Sequence, residues 1–153
     1  MSGGGHWQRS SEELLHALAV SESRLRQEYA TSLELIAELT TRNTAADVGY
    51  SSLVEVLRDV LRFSPAEARR RISHAEAVTE VPLVSGGVVP APLPATAAAL
   101  RAGVLSAEHV EVITRVVRDL PPHVPAADRE VAERTLVDAA HTELCDALAC
   151  LRG

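Results

Sequence analysis

Apolar positions recur at helical spacing almost from the start of the chain. Leu14, Leu18, Leu25, Tyr29, Leu33, Ile36 and Thr40 form one stripe, interrupted by Ser21 and Glu22. Ser10 and Glu13 stand ahead of it as a capping box, in which a hydroxyl and a carboxylate each satisfy a free backbone amide. The pattern predicts one helix of about thirty residues, roughly 45 Å long at 1.5 Å per residue. A helix of that length with one apolar face serves either as a packing spine or as the arm of a coiled-coil dimer. The stripe keeps no strict heptad over three repeats, so the spine is the expectation. Residues 1–9 are Gly-rich and are expected to be disordered.

The polar stretch from Arg42 to Gly49 reads as a connection. Ser51 or Ser52 then caps a short helix whose Leu53, Val56, Leu57, Val60 and Leu61 are expected to face inward. The next helix has the clearest start in the chain. Ser64 accepts from a free amide, Pro65 occupies the first helical position, and Glu67 is placed to reach back. This helix is expected to run to about Val81, before Pro82. Four of the eight prolines and the Gly86-Gly87 pair lie in residues 82–94, which predicts a long loop or a hinge. Pro94 opens a short helix stopped by Gly103, and Ser106 caps another through about Asp119. A last helix is expected from about Ala126 to Ala149, carrying Val131, Leu136, Val137, Ala140, Leu144 and Leu148. The fold class is therefore all-α: about six helices in one domain over residues 10–153, a long N-terminal helix plus helical hairpins joined by Pro-rich loops.

Composition agrees. Only Trp7, Tyr29, Tyr50 and Phe63 are aromatic, so the core must be built from Leu, Val, Ile and many alanines, which suits close helix packing. All fifteen basic residues are arginine, and the formal net charge of −6 argues against a surface that grips nucleic acid throughout while leaving room for a local patch. Without lysine there is no Gly-x-x-x-x-Gly-Lys loop, Gly86-Gly87 belongs to no Gly-x-Gly-x-x-Gly, and no Gly-x-Ser-x-Gly occurs. Nucleotide-using enzymes and serine hydrolases are thereby excluded, and no cofactor or nucleotide is expected. Cys145 and Cys150 point about 140° apart on a helix, cannot bridge each other within it, and read as reduced thiols of a cytoplasmic protein. No apolar leader and no run of eighteen apolar residues is present, so neither export nor membrane insertion is expected.

The candidate chemistry is an arginine patch. Arg58 and Arg62 are four apart, while Arg69, Arg70 and Arg71 fan across about 200° of the following helix. A helix start with several guanidiniums suits phosphate contact, which makes Arg58, Arg62, Arg69 and Arg70 the DNA-phosphate candidates. Against this stand three comfortable intrahelical pairs, Glu55 with Arg58, Asp59 with Arg62 and Glu67 with Arg71. Residues 51–81 carry five arginines and five carboxylates, a net of zero. Ser64, Pro65, Glu67 and Ser106 are assigned structural capping roles. Thr96–Arg115 has the spacing of a DNA-reading helix-turn-helix, but Glu108 and Glu111 would repel phosphates and His109 fills a usually apolar position, so a plain helical hairpin is the better reading. His141 and Cys145 share a helix face, yet Cys150 points elsewhere and no second ligand pair follows, so no metal site is expected. His74 and His109 are expected to be satisfied or solvent-facing imidazoles, not general bases.

Three stretches together carry a family resemblance. They are Gly49-Tyr-Ser-Ser-Leu with Arg58-Asp-Val-Leu-Arg-Phe-Ser-Pro-Ala-Glu-Ala-Arg-Arg-Arg, Leu93-Pro-Ala-Thr-Ala-Ala-Ala-Leu-Arg-Ala-Gly-Val-Leu-Ser-Ala-Glu-His-Val, and Ala132-Glu-Arg-Thr-Leu-Val-Asp-Ala-Ala. In this order they resemble domain-of-unknown-function family 222, the helical N-terminal region of 13E12-repeat bacterial proteins, many of which end in an HNH endonuclease module. The likeness covers most of residues 12–145. It implies a helical region placed ahead of a metal-dependent nuclease, and hence an association with DNA. The sequence departs from that pattern by stopping at Gly153, which reads as a truncated copy or an isolated domain. HNH chemistry also needs a water-activating His, a metal held by His with Asp or Asn, and an orienting Asn. The single asparagine, Asn43, has no neighbouring His, so no catalytic residue is expected. The expected function is a non-catalytic helical region that contacts DNA or positions a nuclease module. The alternative is a protein-interaction or dimerisation module that self-associates through the long helix.

Overall fold

The computed structural model describes residues 5–150, with side chains through residue 143. A 3-10 turn at His6–Gln8 precedes helix α1, Ser11–Thr41. That helix starts where the capping box predicts: Ser10 Oγ accepts from the Glu13 amide at 3.1 Å and Glu13 Oε2 accepts from the Ser10 amide at 2.8 Å. It ends at Asn43, which takes up the left-handed conformation with φ 53°, a role asparagine tolerates better than most residues. The stretch expected as a connection then winds into a four-residue helix, α2, Thr44–Asp47. Five further helices follow: α3 Leu53–Leu61, α4 Pro65–Val78, α5 Pro94–Arg101, α6 Ala107–Arg118 and α7 Ala126–Cys150. The all-α class holds, and α2 makes seven helices among the described residues.

The spine is shorter than the stripe that announces it. Helix α1 packs against α4 and α5, and Ala30, Leu33 and Ile36 are its buried residues, with Leu33 at 0% exposure. Leu14 and Leu15 are exposed, and Leu18 and Leu25 keep 60% and 59% of their surface in water. The body reaches α1 near Ser23. There Gly103, with φ 78°, comes so close that a Cβ on it would stand 2.8 Å from the Ser23 carbonyl oxygen. Arg26 Nη1 fastens the same point by donating to the Val104 carbonyl at 2.8 Å. Upstream of that contact α1 extends past the core.

Two other expectations need correction. Val60 and Leu61 face water, at 66% and 49% exposure, because α3 packs chiefly on α4 and buries only Val56 and Leu57. Helix α4 stops at Val78, three residues early. Thr79 is already extended, and Val81–Pro82 (β1) pairs antiparallel with Val88–Val89 (β2) in a small hairpin. The hairpin returns to the body through the Leu93 amide, which donates to the Ala77 carbonyl at 2.9 Å, and through buried Ala91 and Leu93. The core joins Leu33, Leu57, Leu100, Leu105, Val110 and Ile113 with Ala68, Ala75 and Ala97, whose small side chains let helix backbones approach. Among the described residues no helix is long and apolar enough to cross a membrane.

Candidate nucleic-acid interface

The arginine-bearing region is the elbow between α3 and α4. Helix α3 ends because Arg62 adopts the left-handed conformation, φ 59°, so its four-residue spacing no longer stacks it above Arg58. Ser64 Oγ accepts from the Glu67 amide at 3.1 Å and Pro65 holds the first helical position, as predicted. The Glu67 side chain goes the other way, accepting from Arg71 Nε and Arg70 Nη2, each at 2.8 Å. Burial pushes the Glu67 carboxyl up, but the hydrogen bonds from Arg71 and Arg70 outweigh it and hold it below its ordinary value. The Arg71 guanidinium lies between two rings, 4.5 Å from the Phe63 centroid and 5.0 Å from that of Tyr29. Two of the arginine run therefore stabilise the elbow itself.

The other three candidates are left outward. Arg58, Arg62 and Arg69 are all exposed, and none has a carboxylate of the described residues within 4.0 Å. Glu55, spaced to pair with Arg58, is engaged elsewhere. It accepts from the Ser51 amide at 3.2 Å and the Ser51 hydroxyl at 2.7 Å. The nearby Asp59 carboxylate raises the pKa of the Tyr50 hydroxyl. Of the pairs predicted from spacing, Glu67 with Arg71 forms and the two on α3 do not.

Behind the elbow runs a polar chain, buried at His74 and open to water at Glu111, that periodicity could not announce. Tyr29 Oη lies 2.7 Å from His74 Nδ1, and His74 Nε2 lies 2.6 Å from Glu111 Oε2, linking α1, α4 and α6. An ionised carboxylate only accepts, so Nε2 carries the proton and the Tyr29 hydroxyl donates to Nδ1. Burial pushes the Tyr29 hydroxyl up to about 12. Burial likewise holds the fully buried His74 below its ordinary value, although Glu111 pulls it the other way. A neutral imidazole between a protonated phenol and a carboxylate is a latch between helices rather than a nucleophile relay. The one available signal was an ionisable residue among the small residues of the α4 inner face.

The remaining polar side chains close helix ends. Leu93 offers no capping oxygen to α5, and the buried Glu133 of α7, 2% exposed, supplies one: its Oε1 accepts from the Thr96 amide at 2.7 Å and hydroxyl at 2.8 Å. Ser106 caps α6 as predicted, with His109 as the reciprocal partner. His109 is thus a capping residue where the helix-turn-helix comparison expected an apolar one. Arg129 Nη1 donates to the Val117 carbonyl at 3.1 Å and Nη2 to the Pro121 carbonyl at 2.8 Å, tying the α6–α7 turn. Glu108 is exposed, and Glu111 commits a carboxylate oxygen to His74. No group of three or more metal-ligating side chains gathers among the described residues; Cys145 and Cys150 lie outside the side chains described.

The sequence matches a family described as "Domain of unknown function (DUF222)" over residues 15–151. Among curated proteins it is 34% identical over 139 residues to "Uncharacterized protein Mb1179c" of Mycobacterium bovis, covering 91% of this chain and 30% of that protein. "Uncharacterized protein Rv1945" of Mycobacterium tuberculosis gives the same 34%, 91% and 30%. "Uncharacterized protein Rv1128c" of Mycobacterium tuberculosis is 34% identical over 142 residues, covering 93% of this chain and 31% of that protein. The chain therefore spans about a third of the length of the curated relatives it matches. No solved structure matches it significantly.

Proposed function

The chain belongs to the DUF222 family, and from that premise we propose that it is a non-catalytic helical region of an HNH-endonuclease-type protein, meeting duplex DNA through Arg58, Arg62 and Arg69. One observation carries this reading. Arg58, Arg62 and Arg69 are exposed with no carboxylate of the described residues within 4.0 Å, while Glu55, the acid spaced to neutralise Arg58, is held by Ser51. An unpaired arginine keeps its full charge and forked donor geometry for a phosphate. Arg70, already paired with Glu67, is secondary. The net charge of −6 makes the contact local, which suits a region that positions a nuclease module more than one that grips DNA alone.

Fluorescence anisotropy with a labelled duplex, titrated at several salt concentrations, tests it. With three phosphates neutralised, log K is expected to fall against log salt with a slope of about −2.7. The double substitution Arg62→Ala and Arg69→Ala should flatten that slope by about 2, whereas Arg70→Ala should change it little. No binding at the lowest salt removes the contact. A second reading, self-association through α1, has its own support in the exposed leucines of the first half of that helix. A sedimentation mass of one chain at tens of micromolar would remove it.

A further inference from the structure

We propose that Arg71 is the positioning residue of the elbow, the side chain that fixes Arg58 and Arg62 relative to Arg69. The inference rests on the reading of those three arginines as the phosphate contacts and adds what holds them in place. Phe63 is the one residue between Arg62, which ends α3, and Ser64, which caps α4. Its ring is therefore a handle on the turn itself. From the α4 side, the Arg71 guanidinium lies 4.5 Å from the centroid of that ring. The same guanidinium reaches α1, 5.0 Å from the Tyr29 centroid and with Nη1 3.5 Å from the Ser32 hydroxyl. Glu67 Oε1 accepts from its Nε at 2.8 Å and sets its plane. One half-buried side chain thus joins the turn, α4 and α1.

That clamp bears on the phosphate contacts because they straddle the turn. Arg58 and Arg62 precede Phe63 and Arg69 follows it, so the angle between α3 and α4 sets the distance from the first pair to the third. Helix α3 packs chiefly on α4 and buries only Val56 and Leu57, while Val60 and Leu61 at its end face water. Little packing there opposes a swing of the elbow. A duplex holds its phosphates at fixed spacing, and guanidiniums already fixed in relation to one another meet them without the cost of ordering the turn. Lysine cannot take the place of Arg71, since an ammonium has no plane to lay between two rings.

The test reads affinity and salt slope separately, with the labelled duplex, for Phe63→Leu, Phe63→Tyr and Arg71→Lys, each at a temperature where circular dichroism shows it folded. Phe63→Leu keeps all fifteen arginines. It is expected to bind about tenfold more weakly with an unchanged slope, because the same phosphates are neutralised while the turn must now be ordered on binding. Arg71→Lys should do the same, and Phe63→Tyr, which keeps a ring, should bind like the wild type. Wild-type affinity in Phe63→Leu would overturn the inference and leave the DNA contact standing, as would a Phe63→Tyr chain as weak as Phe63→Leu. No binding by the wild type at the lowest salt would overturn both. A second measurement needs no DNA. On the chain with Cys145→Ser and Cys150→Ser, nitroxides on Leu35→Cys of α1 and Leu61→Cys of α3, both exposed positions, should report one narrow distance that Phe63→Leu broadens. A distribution that Phe63→Leu leaves as narrow would overturn the clamp.

Discussion

The two halves of α1 carry the same kind of stripe and meet opposite fates. From Tyr29 onward the stripe is packed by α4 and α5, with Leu33 wholly out of water; before Ser23 it leaves the core and its leucines stay wet. The junction is built by Gly103 against Ser23 and by Arg26 on the Val104 carbonyl. Periodicity reports which side of a helix is apolar. How far the rest of the chain reaches along that side depends on where the α5–α6 turn arrives.

The sharpest test of this division is Leu33→Ala, which should cost about 2–5 kcal/mol through lost burial and the cavity left behind, measured by urea unfolding. A cost near zero would mean that the inner half is not the spine. Gly103→Ala comes next, with an expected loss of about 2 kcal/mol or more, from an alanine forced to positive φ and a Cβ driven into the Ser23 backbone. Unchanged stability there would show that the junction is looser than drawn.

Tyr29→Phe should cost about 1–2 kcal/mol, since it leaves His74 Nδ1 buried without its donor. The same chain gives a pH signature. Because burial lowers the folded-state pKa of His74 from 6.5, the unfolded chain takes up a proton that the folded chain refuses. The stability from this group is complete above pH 6.5 and is lost as pH falls toward the folded pKa. Thermal unfolding of the wild type should therefore lose more between pH 7.5 and pH 5 than that of His74→Gln, and equal losses would show His74 to be protonated in the fold. Smallest of all, Leu18→Ala should stay within about 0.5 kcal/mol at micromolar dilution; a loss as large as that of Leu33→Ala would erase the difference between the halves.

The candidate site was legible to the extent that it was local. Ser64 and Pro65 at the start of α4, Ser106 at the start of α6 and Glu67 near Arg71 act within one turn, where spacing alone sets the geometry. Arg58 and Arg62 were placed as candidates, but their freedom from Glu55 and Asp59 depends on Ser51 taking up Glu55 and on the left-handed residue that ends α3. Glu133 could not be recognised as the cap of α5, because the missing acceptor at Leu93 and the carboxylate that replaces it are 37 or more residues apart. His74 and Glu111 are separated in the same way.

The all-α class, the starts of α1, α4 and α6, and the stop at Gly103 were determined by the sequence alone, because hydrophobic period, capping hydroxyls and backbone restrictions act over a few neighbouring residues. Only the tertiary structure decided which half of α1 is core, which arginines are spent inside the fold and which face water. Those outcomes depend on the distance between segments far apart in the chain, and side-chain desolvation and pairing are settled only once those segments meet.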